Sequence, residues 1–175
     1  MPFVIPFIAV LGALILLFAL SWIDLKDGIL PNPLVLLFGL CGLAFHASVP
    51  VLYIDWPNIA LGAALGGGVL LFIRTLANWL YKGDTLGLGD VKLMLAAGVW
   101  LGSHFVLIAL IVGAIAGLLH GFSHALALGI KDGKLPDLTK LSIPAGPGFA
   151  FGILVAGAML FHDFPSLALE ALNNL

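Results

Sequence analysis

Two aspartates carry the chemistry that this sequence makes possible. Asp24 follows an apolar run that starts at Phe3, and Asp90 lies in Gly87-Leu88-Gly89-Asp90-Val91-Lys92-Leu93-Met94, where another apolar run opens. An ionisable group in so apolar a setting needs a water-filled niche or another polar group, and marks a functional site. Two carboxyl groups brought together out of bulk water cannot both ionise, so they share one proton and titrate as a unit. That state suits peptide hydrolysis. The ionised member takes a proton from water as it attacks the scissile carbonyl, and the protonated member donates to the carbonyl oxygen. The chemistry calls for no metal, cofactor or acyl-enzyme, and none is expected. Helix polarity casts Asp90, near a helix start, as the base and Asp24, near a helix end, as the acid.

Each aspartate is followed two positions later by a lysine, Lys26 and Lys92. On a helix that offset is about 200°, so neither lysine faces the aspartate beside it. Both lysines are expected to snorkel toward lipid phosphate while the aspartates turn inward.

The elements that position this pair must be membrane helices. Of the 175 residues, 62% are hydrophobic and 9% charged, and the mean hydropathy is +1.19. A soluble domain carries roughly a quarter charged residues, so a water-soluble globule is excluded and lipid is the surrounding medium. The net charge is -2 with no basic run, which gives no reason to expect nucleic acid as a partner. Apolar stretches mark spans at Phe3–Ile23, Pro33–Leu52, Ile59–Leu80 with Arg74 near its end, Leu93–Ile130, and Pro144–Phe161. As one helix, residues 93–130 would reach about 57 Å against a hydrocarbon core of about 30 Å, so the chain is expected to turn at Gly102-Ser103-His104. The N-terminal run has no preceding Lys or Arg, exceeds a normal signal core and lacks a cleavage site, and is read as the first span. The expected architecture is all-α: one polytopic domain over residues 1–175, a bundle of six transmembrane helices.

Basic residues set the orientation. Lys26 lies in the first connection, Arg74, Lys82 and Lys92 around the third, and Lys131, Lys134 and Lys140 in the fifth. Basic residues remain in the cytoplasm, so both termini are expected on the non-cytoplasmic side of an inner membrane, with the aspartates toward the cytoplasm. Roughly 18 Å of helix separates Asp90 from the turn, which puts Asp90 beneath the headgroups. Glycines four apart (Gly62 and Gly66; Gly113, Gly117 and Gly121; Gly148 and Gly152) allow close helix packing. Trp22, Trp56, Trp79 and Trp100 near span ends read as interfacial anchors. His46, His104 and His162 fall near the outer interface with no specific role, and Cys41 reads as a free packing thiol. His120 and His124 stand four apart but lack an intervening Glu or a third ligand, so no metal site is expected.

Around the aspartates the sequence resembles the type IV prepilin peptidase family. Asp24-Leu25-Lys26-Asp27-Gly28-Ile29-Leu30-Pro31-Asn32 is similar to that family's first aspartate motif. Gly87-Leu88-Gly89-Asp90 resembles its Gly-x-Gly-Asp signature, shared in outline with presenilin-type intramembrane proteases. Ile143-Pro144-Ala145-Gly146-Pro147-Gly148-Phe149 is like its Pro-Phe-Gly-Pro segment, from which Ala145 and Gly148 depart. The three motifs occur in order over nearly the whole chain. The resemblance implies Asp24 and Asp90 as the catalytic pair of an aspartic endopeptidase, with pilin-like precursors bearing short basic leaders as substrates. It also implies a short form without N-methyltransferase activity, similar to tight-adherence or archaeal preflagellin peptidases, because the first connection is short and the single cysteine lies elsewhere.

The neighbouring residues shape the site. Gly87 and Gly89 let an extended substrate backbone approach Asp90 or let the loop hinge. Pro31-Asn32-Pro33 suits a rigid turn that positions Asp24. Pro144 and Pro147, with Gly146 between them, break the approach to the last span. Asp27, Asp84, Asp132 and Asp137 lie at loop level, where they can attract a basic leader. A small proton-coupled transporter using the same aspartates is the main alternative, against which stands the lack of paired halves with broken helices. A noncatalytic assembly factor that only holds pilin-like helices is a second. Nothing in the sequence fixes an oligomeric state.

Overall fold

The computed structural model describes residues 4–49, 53–83, 86–132 and 144–164, with much of 124–132 described as backbone alone. The apolar runs form five helices: α1 Val4–Asp27, α2 Asn32–Ser48, α3 Trp56–Tyr81, α4 Leu88–Asp132 and α5 Gly146–Leu160. No strand occurs among the described residues. Three segments, α1, α3 and residues 88–123 of α4, are long and apolar enough to cross a membrane, while α2 and α5 are shorter apolar helices. Pro33, Pro57 and Pro147 each occupy the second position of their helices, where a proline's missing N–H leaves no hydrogen bond unmade. α1 stops at Gly28, whose φ of +66° lets its N–H return to the Asp24 carbonyl at 2.9 Å.

The long fourth run turns where glycine permits it. Gly102 has φ +68° and ψ -176°, and divides α4 into limbs 88–101 and 103–132. The chain reverses there. A β-carbon on Gly66 of α3 would collide with both the Met94 carbonyl and Val106 Cγ2, yet these residues would lie about 18 Å apart on a straight helix.

A broken helix exposes unpaired N–H groups on one side and carbonyls on the other, and here both neighbours supply partners. Ser103 donates to Asn58 Oδ1 of α3 through its backbone N–H at 2.9 Å and its hydroxyl at 2.6 Å. On the other side His46 of α2 donates through Nε2 to the Trp100 carbonyl at 3.2 Å, and Trp100 Nε1 donates to the Phe38 carbonyl at 2.8 Å. Asn58→Leu should remove the cap and destabilise the bundle by about 1–2 kcal/mol, read as a lower unfolding midpoint in detergent; an unchanged midpoint would show the bonds to be dispensable.

Two expectations are corrected at this break. Trp100 is not an interfacial anchor: it is 4% exposed, stacked on Phe38 and tilted against Phe45, whereas Trp22, Trp56 and Trp79 are exposed. His46 is buried and caps a helix end instead of lying idle at an interface.

Glycine sets the closeness of packing. α3 packs on α4, α4 on α5, α2 on α4, and α1 on α2 and α5. The Gly62 backbone meets Gly98 and Gly102, and Gly148 and Gly152 meet the backbone at Gly113, as the four-residue spacing led one to expect. A β-carbon on Gly98 would strike the Gly62 carbonyl, which is backbone and cannot rotate away. Gly98→Ala is therefore expected to lower stability by about 1–3 kcal/mol, the range for overpacking. Thermal unfolding in micelles checks it, and an unaltered midpoint would refute it.

Candidate active site

Asp24 occupies the last turn of α1 and Asp90 the first turn of α4, so two helix ends meet at one end of the bundle. Both side chains are buried, at 6% and 7% exposure. Asp24 continues the inward face of α1 formed by Ala13, Leu16, Leu17 and Leu20, so helical periodicity carries it into the interior. Asp90 is followed on α4 by buried Leu93, Met94 and Ala97, again at helical spacing. The two carboxyl groups are close enough for their charges to interact.

The third motif supplies the contact that the sequence did not reveal. The Gly146 N–H donates to Asp24 Oδ2 at 2.9 Å. Gly146 is the first residue of α5 and Pro147 the second, so this amide is one of the donors that a helix start leaves unpaired. The positive end of the helix dipole points at the same oxygen. A β-carbon at Gly146 would lie 2.6 Å from Oδ2, so only glycine lets α5 sit this close.

Gly87 and Gly89 make room in different directions. A β-carbon on Gly87 would stand 3.0 Å from Asp90 Oδ2, and one on Gly89 would meet Leu30 Cβ at 2.9 Å. Gly87 thus leaves the approach to Asp90 open, and Gly89 lets α4 rest on the segment that links α1 to α2. Leu30 is buried in that contact, a role its apolar character alone did not announce. Asp90 Oδ1 is buried with no hydrogen-bond partner among the described residues. Pro31 precedes α2 in extended conformation, consistent with the rigid turn expected there.

Lys92 departs from simple snorkelling: its Nζ donates to Asn32 Oδ1 at 2.9 Å, joining α4 to the start of α2. Asp27 is exposed at the end of α1, Pro144 is partly buried before α5, and Pro147 partly buried within its first turn. Asp84 and Asp137 lie outside the described residues, as do the side chains of Asp132 and His124; His120 is exposed. The site therefore unites Asp24, Asp90, Gly87, Gly89 and Gly146, with Asn32 and Lys92 on its exposed flank. Two neighbouring buried carboxyl groups, one fixed by a main-chain donor, can divide one proton and activate water.

Residues 11–122 match the model of the type IV leader peptidase family. The chain is 32% identical over 150 residues to the prepilin leader peptidase/N-methyltransferase of Escherichia coli K12, covering 83% of this chain and 62% of that protein. It is 33% identical over 153 residues to the protein of that name in Xanthomonas campestris pv. campestris, covering 86% and 49%. With that of Pectobacterium carotovorum subsp. carotovorum it shares 36% over 121 residues, covering 65% and 41%. The match thus spans about two fifths to three fifths of the length of these relatives. No solved structure matches significantly.

Proposed function

We propose that the chain, which belongs to the type IV leader peptidase family, is a membrane-embedded aspartic endopeptidase that removes short basic leaders from pilin-like precursors at the cytoplasmic face. The observation that carries this reading is the burial of both Asp24 and Asp90 at one end of an apolar bundle, within range for their charges to interact. Asp24 Oδ2 is occupied by the Gly146 N–H, which leaves Oδ1 to share or donate a proton. Water held between the carboxyl groups attacks the scissile carbonyl as one aspartate takes its proton and the other protonates the carbonyl oxygen; the first then gives its proton to the leaving amine while the second takes one back from the gem-diol, so the C–N bond breaks and the shared proton is restored. The pair tightens when substrate expels bulk water.

The reversal at Gly102 supports two crossings from α4 and hence six in all, with both termini on the non-cytoplasmic side. The alternate placement of Lys and Arg supports the same orientation. The whole bundle acts as one peptidase domain. Only residues 28–31 join α1 to α2, and Cys41 lies within α2, so leader cleavage is the activity that these residues support. Purified protein in micelles, incubated with a pilin precursor, should release a shortened product of one defined size, visible on a gel and by mass spectrometry. A precursor that stays intact under every lipid and detergent condition tried would defeat the proposal. The transporter alternative is separated by proton uptake into proteoliposomes, which an endopeptidase does not support.

A further inference from the structure

Lys92 and Asn32 stand at the mouth of a groove of about 670 Å³ between α2 and the first limb of α4. Its floor is the close approach of Gly39 to Ala96, 3.4 Å from an added β-carbon. Its walls are the apolar side chains of Leu36, Leu40, Leu95 and Val99. From Asn32 to Leu43 the groove follows α2 for about 16 Å, away from the helix ends that bear the aspartates. Among the described residues its lining holds one cation, one amide and no acid. An ammonium group has three N–H donors, and Asn32 takes one of them.

We propose that this groove binds one anionic phospholipid, with its phosphate on Lys92 and the Asn32 amide and an acyl chain along the α2–α4 cleft. Charge complementarity selects the occupant. A basic leader would meet a like charge at Lys92, and a purely apolar helix would leave the ammonium without a counter-ion. A zwitterionic lipid brings a cation of its own to the mouth. An anionic headgroup supplies the counter-charge that no described residue gives Lys92, and its tail covers exposed leucines. Lys92 thereby serves both α2 and the bilayer, which reconciles its bond to Asn32 with a position at the exposed surface. The site requires that the chain sit in a membrane but is independent of the peptidase reading.

Native mass spectrometry of the protein in detergent, supplied with palmitoyl-oleoyl phosphatidylglycerol, tests the site. One lipid should be retained, about tenfold more strongly than the matching phosphatidylcholine, as expected for loss of a charge-assisted hydrogen bond. Lys92→Met should reduce retention by a similar factor, and Lys92→Arg should restore it; both changes are at an exposed position and leave the core untouched. Inorganic phosphate should not displace the lipid. Equal retention by Lys92→Met, equal retention of phosphatidylcholine, or displacement by phosphate alone would overturn the proposal, the last by showing a simple anion site.

Discussion

Asp24→Asn and Asp90→Asn are each expected to slow precursor cleavage by about 10³-fold or more while leaving the bundle folded, the loss expected when acid–base assistance is removed. The substitution is nearly isosteric, so packing around either side chain is kept. At position 24 an amide oxygen can still accept the Gly146 N–H that now meets Oδ2, which preserves the link between α1 and α5. What disappears is the ability to take or give a proton. Since the two carboxyl groups act as one unit, the double variant should be no worse than the poorer single one. Initial cleavage rates, alongside unfolding midpoints for all three variants, provide the check. Wild-type cleavage by either single variant would end the dyad mechanism, because nothing else at this end of the bundle is both buried and acidic among the described residues.

The parts of this site that the sequence disclosed are those written in side-chain type. Asp24 and Asp90 stood out because carboxyl groups are rare in apolar runs, and the turn into α2 followed from Pro31-Asn32-Pro33. The turn at Gly102 was legible from length, because one helix of that run overshoots a bilayer. Interactions across the bundle were not legible. The donor to Asp24 is a backbone amide, identical in every residue but proline, and only the meeting of α5 with α1 shows which one it is. Spacing showed that Lys92 turns away from Asp90, but not that Asn32, on a different helix, waits on the other side. Trp100 misled because an aromatic at a span end scores alike whether it faces headgroups or a neighbouring helix. In this fold the first limb of α4 ends in the interior, against α2 and α5, so its terminal tryptophan is core.

Gly146→Ala is expected to cut kcat by about 10²-fold, the scale of loss when a reacting group is displaced by about 1 Å, with a much smaller change in KM. The added methyl would sit 2.6 Å from Asp24 Oδ2, 2.9 Å from Cγ and 3.1 Å from Cβ. The first of these is well inside van der Waals contact. Asp24 is buried and its carboxylate cannot swing into solvent, so either the side chain rotates away from Asp90 or the start of α5 lifts off α1. Both outcomes break the N–H···O bond that fixes Oδ2. Gly148→Ala separates this displacement from general damage to α5. It would overpack the same helix against Gly113 and Gly117 of α4, which do not touch the aspartates. The two variants should lose comparable stability, about 1–3 kcal/mol, yet only Gly146→Ala should lose turnover per folded molecule. Equal turnover losses in both would mean that α5 contributes bulk packing alone; normal turnover in Gly146→Ala would mean that the amide does not hold Asp24 in its working position.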